Sequence, residues 1–540
     1  MLVLIVVSAC QKEAKERMEH APSPPDGIKD VHGIRAALCG DQAVVHGGRP
    51  ASNYGPPPAL FHSALAKFDN HLHHLDGKLD ELAPDSDLLH STHLLIQQCL
   101  DVYDSDNDRA QALDETLSAV LRANIFKRRQ RQHSDSTVGW VWEDDDWHAV
   151  VVLELKNESG IGGSAFLRAA LMYARVVSDR EVCHLALSRL HPALMLHQYP
   201  GRLQRTNHPV ILVGIAGDHI ELGSAIFLGD GVHHSTPFSQ RLRLGFHAHD
   251  NVFRLAQAFM AISLAAKSIA NYYTDIKKHP PPADSIAHLF PAPTRLDGDP
   301  LPDGLRFRCG LSRAAARFTL PRDTEDQRTG LYIATMPARA ATPPSTAAAA
   351  APDIEVVVKF TARYNADAHR LLASAGHAPQ LYSCARVCGG LYMVVMELVP
   401  GKPLGYWVAG EVRVPRSVYT DIEAALGVLH AAGLVFGDLR PPNVVCVPSA
   451  SAPEPSDGPE EEQPGARGML VDFDWAGTVG VDRYPATLDD SLPDWAAGVE
   501  RYGVMRTEHD RAMLKMLEEL CEEPPVDGRV APATPSRGCF

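Results

Sequence analysis

The chain lacks the repeated short cysteine spacings of metal ribbons, with Cys384 and Cys388 its one close pair, and it lacks apolar runs of transmembrane length and any excess of basic residues. Its 10 cysteines stand at 10, 39, 99, 183, 309, 384, 388, 446, 521 and 539. That scatter excludes zinc ribbons and dense disulfide scaffolds, and it predicts reduced thiols in an intracellular setting, cytoplasmic or nuclear. Cys384 and Cys388 fall among predicted strands and are not expected to hold a metal. Residues Leu2 to Ala9 are apolar, but a bilayer takes about 20 residues and a secretory signal begins with a basic residue. Leu4-Ile5-Val6-Val7-Ser8-Ala9-Cys10 resembles a bacterial lipoprotein cleavage site but lacks the charged start; the segment reads rather as a strand or a misassigned start, and no membrane association is expected. Against 51 Lys and Arg stand 66 Asp and Glu, a net charge of -15. This excludes a general polyanion binder and confines any nucleic-acid contact to a local patch. What remains is ordinary globular composition over 540 residues, enough for roughly two to four domains.

From Pro22 to Pro58 the chain is rich in Pro, Gly and His and reads as poorly ordered. Phe61, Leu65, Phe68, Leu72 and Leu75 recur at the helical period, and Leu88 to Leu100 and Ala112 to Ile125 read as further helices. Val138 to Trp142 and Ala149 to Leu155 are β-rich runs around the acidic turn Glu143 to Asp146, which predicts a hairpin. A helix at Ser164 to Val177, strands at Val210 to Ile215 and Ile220 to Leu228, and a long helix at Asn251 to Tyr273 complete a layered sheet domain. Seven prolines between His279 and Pro302 mark a linker. Beyond it, Gly330 to Met336 and Ile354 to Phe360 read as strands flanking an Ala- and Pro-rich insertion at Pro337 to Pro352. A helix at Ala366 to Ala375, a strand at Leu391 to Val399 and a helix at Val418 to Ala432 follow. An acidic excursion at Ser449 to Gly468 separates two strands, and the last helix is predicted at His509 to Cys521.

The most specific signal is Val435-Phe436-Gly437-Asp438-Leu439-Arg440-Pro441-Pro442-Asn443-Val444-Val445, followed by Met469-Leu470-Val471-Asp472-Phe473-Asp474. Phosphoryl transfer needs a carboxylate to orient or accept a hydroxyl proton, and oxygen ligands to hold Mg²⁺ against phosphates. Pairing Val444 to Val447 with Met469 to Phe473 brings Asn443 alongside Asp472. The segment resembles the catalytic and metal loops of the protein-kinase superfamily, in which an Asp and an Asn five residues later share a loop. Upstream, Val356-Val357-Val358-Lys359-Phe360 resembles the strand whose lysine grips the nucleotide phosphates. Met393 to Pro400, with Glu397, resembles the strand entering the adenine hinge. The resemblance implies Asp438 as base, Asn443 and Asp472 on Mg²⁺, Lys359 and Glu397 at the ATP, and a protein substrate. Taken alone, Lys359 is a strand-edge lysine and Asp438 a turn residue; the order of all of them carries the reading.

Departures from that pattern are specific. No Gly-x-Gly-x-x-Gly loop precedes Lys359. The nearest acid to orient Lys359 is Asp367, eight residues on. Phe436-Gly437 stands where His-Arg is usual, Asp474 replaces a glycine, and no Ala-Pro-Glu follows. A truncated helical lobe is expected. Lys359-Phe360, Tyr364 through Ala373, and Arg483-Tyr484-Pro485 make the region similar to a divergent fungal kinase-like family, over roughly Leu305 to Leu520.

A second constellation is Val151-Val152-Leu153-Glu154-Leu155-Lys156, followed by Gly160-Ile161-Gly162-Gly163 and a helix. Residues two apart on a strand share a face, so Glu154 and Lys156 converge on one phosphate. The pattern resembles restriction-endonuclease-like domains, in which Glu-x-Lys and an upstream Asp hold a divalent ion and activate water. A turn centred near Asp145 puts Asp135 opposite residue 155, in diagonal reach of both, given an offset or bulge in the register. Arg168 stands where that family has a helical Gln. The basic run Lys127-Arg128-Arg129 reads either as a phosphate grip or nuclear address, or as a solvated helix end. The tandem order resembles Crinkler-related proteins.

The expected fold class is therefore multidomain α/β and α+β. The expected divisions are a poorly ordered N-terminus (1–58), a helical segment (59–110), a restriction-endonuclease-like layered sheet (111–278), a Pro-rich linker (279–304), a truncated two-lobed protein-kinase-like domain (305–522) and a tail (523–540). The leading function is ATP-dependent phosphorylation of protein Ser or Thr. The alternatives are a metal-dependent nuclease built on Asp135, Glu154 and Lys156, acting on nucleic acid at the N-terminal domain, and a non-catalytic pseudokinase.

Overall fold

A computed structural model describes residues 26–39, 43–51, 53–75, 79–122, 127–132, 138–143, 148–158, 164–190, 206–228, 231–282, 285–296, 301–312, 314–318, 320, 330–338, 353–410, 414–448, 466–489, 492 and 495–521. Side chains of 127–132, 138–143 and 178–190 are outside this description. So are Asp135, the acidic turn at 144–146, the glycines at 160–163, most of the Ala- and Pro-rich insertion, the excursion at 449–465 and the tail. The chain divides into two compact units, one formed by Met1–Leu296 with Thr319–Arg328 and Val387–Gly389, the other by the remainder.

The N-terminal unit is a seven-stranded mixed sheet with helices. In chain order its elements are α1 (Val31–Leu38), β1 (Val45–His46), α2 (Ser63–His73), α3 (Ser86–Leu100), α4 (Asp106–Val120), β2 (Lys127–Gln132), β3 (Val138–Glu143), β4 (Ala149–Lys156), α5 (Ala165–Leu190), β5 (Val210–Ala216), β6 (His219–Leu228), β7 (Gly231–Arg241) and α6 (Ala248–Lys278). The sheet order is β1-β7-β6-β5-β4-β3-β2, with β1–β7 and β4–β5 parallel. Every residue of β4 is buried, which explains the apolar run Ala149 to Leu153 ahead of Glu154: both faces are covered. Val152, Val210 and Leu212 join the core with Phe166, Ala169 and Tyr173 of α5. Helix α6 also packs on β4 and β5, and α2 and α3 pack on α6.

Several expectations are corrected here. Residues 26–58 are not uniformly loose, because α1 is capped by Asp30 and β1 extends the sheet. The helical segment 59–110 is not separate, since its apolar faces find their partner in α6 of the same unit. The basic run 127–132 is an edge strand paired to β3, not a helix end. Helix α6 is long and apolar enough to cross a membrane, contrary to the expectation that no segment approaches that length. However, 67% of its apolar window is buried within the protein, so core packing explains its composition.

The second unit begins with β8 (Arg306–Leu311), β9 (Arg317–Phe318), β10 (Leu331–Pro337), β11 (Asp353–Thr361), α7 (Ala366–Ser374), β12 (Leu381–Val387) and β13 (Leu391–Glu397). These strands form a sheet in the order β12-β13-β11-β10-β8-β9. Then come β14 (Lys402–Pro403), α8 (Leu404–Ala409), α9 (Arg416–Ala431), β15 (Leu434–Val435), β16 (Val444–Pro448), β17 (Ala466–Leu470), β18 (Gly477–Thr478) and α10 (Thr507–Glu518). One buried cluster runs from Val357 and Val394 through Leu426 and Leu429 to Phe436, Phe473 and Met513.

Candidate functional site

Lys359 lies on β11, an interior strand of the six-stranded sheet, between Leu331 and Val394. It is 6% exposed. A buried ammonium needs carboxylates, and two supply them: Asp472 Oδ1 is 2.6 Å from Nζ and Asp474 Oδ1 is 2.9 Å from it. Thr361 shares the Lys359 face of β11 and donates its hydroxyl to Asp474 Oδ2 at 2.8 Å. Burial opposes the charge on Lys359, but Asp472 and Asp474 outweigh it and hold its pKa above the ordinary lysine value. Burial also opposes the charge on Asp472, yet Lys359 keeps its pKa below the usual carboxylate value. Asp474 is pushed up to about 7, by burial and then by the Asp472 charge.

The loop carrying Asp438 is held from below by a residue that sequence reasoning did not single out. Asp510, fully buried on α10, accepts from the backbone N–H of Phe436 at 2.8 Å and of Gly437 at 2.9 Å. His430 Nε2 lies 3.0 Å from the same carboxylate. Gly437 has φ +82°, and a Cβ there would stand 3.1 Å from Trp475 O, so its torsion is what calls for glycine. The only sequence signal for Asp510 is an acid in the first turn of an amphipathic helix, which ordinarily reads as a dipole partner.

Asn443 then ties the two loops together. Its Nδ2 donates to Asp438 O at 2.9 Å, and its backbone O accepts from Val471 N at 2.9 Å. Antiparallel pairing of β16 with β17 sets Val444 opposite Leu470, so Asn443 and Asp472 sit at the same end of one hairpin. Asp472 has φ +69°, a left-handed conformation that is uncommon outside glycine. Behind it, Phe473 stacks on His369 at 4.5 Å and meets Phe436 edge-on at 5.6 Å. Asn365 caps α7 through Ala368 N at 3.0 Å and donates its Nδ2 to Ala476 O at 3.2 Å. One amide thus fixes both the helix and the acidic loop.

Asp438 is 7% exposed, and both of its oxygens are covered by Arg440. Nη2 donates to Oδ2 at 2.8 Å and Nε to Oδ1. The guanidinium lies 4.6 Å from the Trp495 ring centre, and Trp495 stacks on Trp475 at 5.5 Å.

One expected role is corrected by these positions. Asp367 does not orient Lys359: it is an exposed residue of α7 paired with Arg370 at 3.0 Å, and Asp474 stands at the lysine instead. The Glu397 carboxylate accepts from Gln380 N at 3.0 Å, so it ties β13 to the segment before β12. Among the described residues no three His, Cys, Asp or Glu side chains gather as a metal site. The carboxylates at Lys359 are Asp472 and Asp474, and Asn443 stands at the hairpin end that leads to Asp472.

In the N-terminal unit, Glu154 and Lys156 are both buried. Glu154 Oε2 lies 3.4 Å from Arg168 Nε. Asp106 of α4 is 3.8 Å from Lys156 Nζ and accepts from Asn157 N at 2.6 Å. Burial, opposed by Arg168 and Lys156, pushes Glu154 up to about 8. The register sets Gly139 opposite Glu154, with a shift between Trp142 and Glu143, rather than the expected pairing of Asp135 with residue 155. Asp135 itself lies outside the described residues. The acid beside Lys156 comes from a helix 50 residues upstream, with no local spacing to reveal it.

No family model matches the chain, and no curated protein matches it. Among solved structures, it is similar to the kinase PK-1 of Cydia pomonella granulovirus, at 13% identity over 40% of this chain and 67% of that one, with a TM-score of 0.26. It is also similar to the Rad53 kinase domain with SCD2, solved in complex with AMPPNP, at 18% identity over 27% of this chain and 48% of that one, with a TM-score of 0.19. The similarity to protein kinase domains is distant and covers part of the chain.

Proposed function

We propose that the second unit transfers the terminal phosphoryl group of ATP to a hydroxyl on a protein. The observation that carries this reading is the convergence of Lys359, Asp472, Asn443 and Asp438, brought together from β11, the loop before β16 and the loop after β17. Lys359 supplies a fixed positive charge for phosphate oxygens. Asp438 orients the acceptor hydroxyl and takes its proton. Arg440 covers both Asp438 oxygens, so an arriving hydroxyl displaces at least one of its N–H donors, leaving the guanidinium beside the phosphoryl oxygens.

Mg²⁺ fits this donor set: Asp472 offers a carboxylate, and Asn443, whose Nδ2 is used on Asp438 O, offers Oδ1, both hard oxygen ligands. When bound, the ion neutralises charge on the phosphate oxygens. Lys359 has two carboxylates in reach; when Asp472 turns to the ion, Asp474 remains to hold it. The test is incubation of the full chain with labelled ATP, Mg²⁺ and a mixed Ser/Thr protein acceptor, beside Lys359→Met. Transfer that requires Lys359 is the expected result, and equal transfer by both proteins removes the reading.

A further inference from the structure

Between Asp474 and α10, the chain builds a cleft of ≈ 370 Å³ that the proposed chemistry does not use. Its polar lining is Arg483, Arg501, Arg506, Glu500, Tyr502 and His509. Among the described lining residues, Arg483 and Arg506 against Glu500 leave a positive site on a chain whose net charge is -15, so the sign is local and opposite to the whole. Burial, with Arg506 adding to it against Asp510, lowers the pKa of His509 and leaves the arginines as the cations.

The walls are held by backbone bonds. Tyr484 N donates to Gly503 O at 3.0 Å, Tyr502 N to Tyr484 O at 3.2 Å, and Met505 N to Asp482 O at 2.9 Å. Arg483 Nη1 donates to Tyr502 O at 2.8 Å, and Arg501 Nε to Leu488 O at 2.8 Å. The Arg483 bond takes one of the five N–H donors of a planar fork, so that group is placed without being used up. Tyr502 has φ +62° and is 63% exposed. A tyrosine in the left-handed region is costly, and such strain is found at binding clamps.

The cleft adjoins the Asp438 loop through one side chain. His509, in its wall, meets Tyr484 Oη at 3.0 Å. The phenol of Tyr484 is raised by burial and then by the charges of Asp510 and Asp438, which places it within the field of the Asp438 carboxylate. Tyr484 also packs edge-on to Trp475 at 6.2 Å, whose neighbour Arg440 covers Asp438.

We propose that this cleft receives acidic side chains of the acceptor polypeptide, so that the hydroxyl presented to Asp438 is flanked by Asp or Glu. The proposal rests on the phosphotransferase reading above and names its substrate class. Arginine forks match carboxylates in paired geometry, and the exposed Tyr502 ring gives a flat contact for the peptide between them.

The test separates binding from turnover. Two fluorescent Ser peptides of equal length, one with Glu and one with Lys at the flanking positions, are titrated with the full chain by anisotropy at low and high salt. The Glu peptide is expected to bind at least about tenfold tighter, with the preference shrinking as salt screens it. Arg483→Ala with Arg506→Ala is expected to reduce the preference to about twofold or less while leaving ATP affinity unchanged. If that double variant does not fold, Arg506→Gln alone, at an exposed position, is expected to lose part of the preference. Equal binding of the two peptides, or a preference that survives removal of the arginines, overturns the proposal. Transfer to Ser peptides without acidic preference rejects the cleft and spares the phosphotransferase reading; acidic preference with no Lys359-dependent transfer does the reverse.

Discussion

At the scale of single residues, the lysine and its two acids make the sharpest distinction. Asp474→Ala is expected to weaken nucleotide binding by about tenfold or more, equivalent to about 1.4 kcal/mol, because Lys359 then has no carboxylate left when Asp472 turns to the cation. Asp367→Ala is expected to change nothing, since that side chain is 92% exposed and pairs only with Arg370 among the described residues. Equilibrium titration with a fluorescent nucleotide reads both variants, and equal losses would reject Asp474 as the anchor. Asp510→Ala removes the acceptor from two buried N–H groups. At about 1–3 kcal/mol for each unsatisfied group, its thermal unfolding midpoint is expected to fall by several degrees. Glu154 gives a pH signature. Its folded pKa, about 8, lies above the ordinary glutamate value, so the folded state holds a proton that the unfolded state releases. Stability is therefore greatest below the unfolded pKa and declines as pH rises from about 4.5 to about 8. Amide exchange protection in β4, corrected for intrinsic rate, is expected to be lower at pH 8 than at pH 6. Glu154→Gln is expected to flatten that difference.

At the scale of elements, close approach decides what the sequence can specify. Gly214 of β5 sits under α5, and a Cβ there would stand 2.6 Å from Phe166 N. Gly214→Ala is expected to lower the unfolding midpoint at a cost of about 1–3 kcal/mol, as for other overpacked contacts. Most strands and helices were legible because their periods are clean. The apolar run Ala149 to Leu153 of β4, the run at Val210 to Ala216 and the helical spacing of Phe61 to Leu72 each admit one reading. Strand β7 was not legible: Gly231 to Arg241 carries two histidines, a proline and polar residues, and its pairing with β6 overrides weak propensity. In the site, the order Lys359, Asp438, Asn443, Asp472 was visible because each lies in a short stereotyped segment. Asp474 as the lysine's partner was not, because the alternative Asp367 is nearer in sequence and only the fold turns it outward. Asp510, Asn365 and Asp106 were hidden for the same reason: each acts on backbone or side chains dozens of residues away.

At the scale of the whole molecule, an acidic chain carries two units whose buried charges are handled in opposite ways. In the N-terminal unit, Glu154 and Arg168 are both almost fully buried, and several of their polar atoms have no hydrogen-bond partner, an arrangement that costs free energy. In the second unit, Lys359 is matched by two carboxylates, and the loops that carry Asp438, Asn443 and Asp472 are tied to each other and to α10. This second arrangement pairs a buried charge instead of leaving it unmatched. The most direct measurement is phosphate incorporation from labelled ATP with Mg²⁺, comparing the full chain with Asp438→Asn at equal concentration and confirmed folding. Incorporation by the native protein, reduced about 100-fold or more in the variant, is expected for a carboxylate that takes the acceptor's proton. Equal incorporation by the two proteins would contradict it.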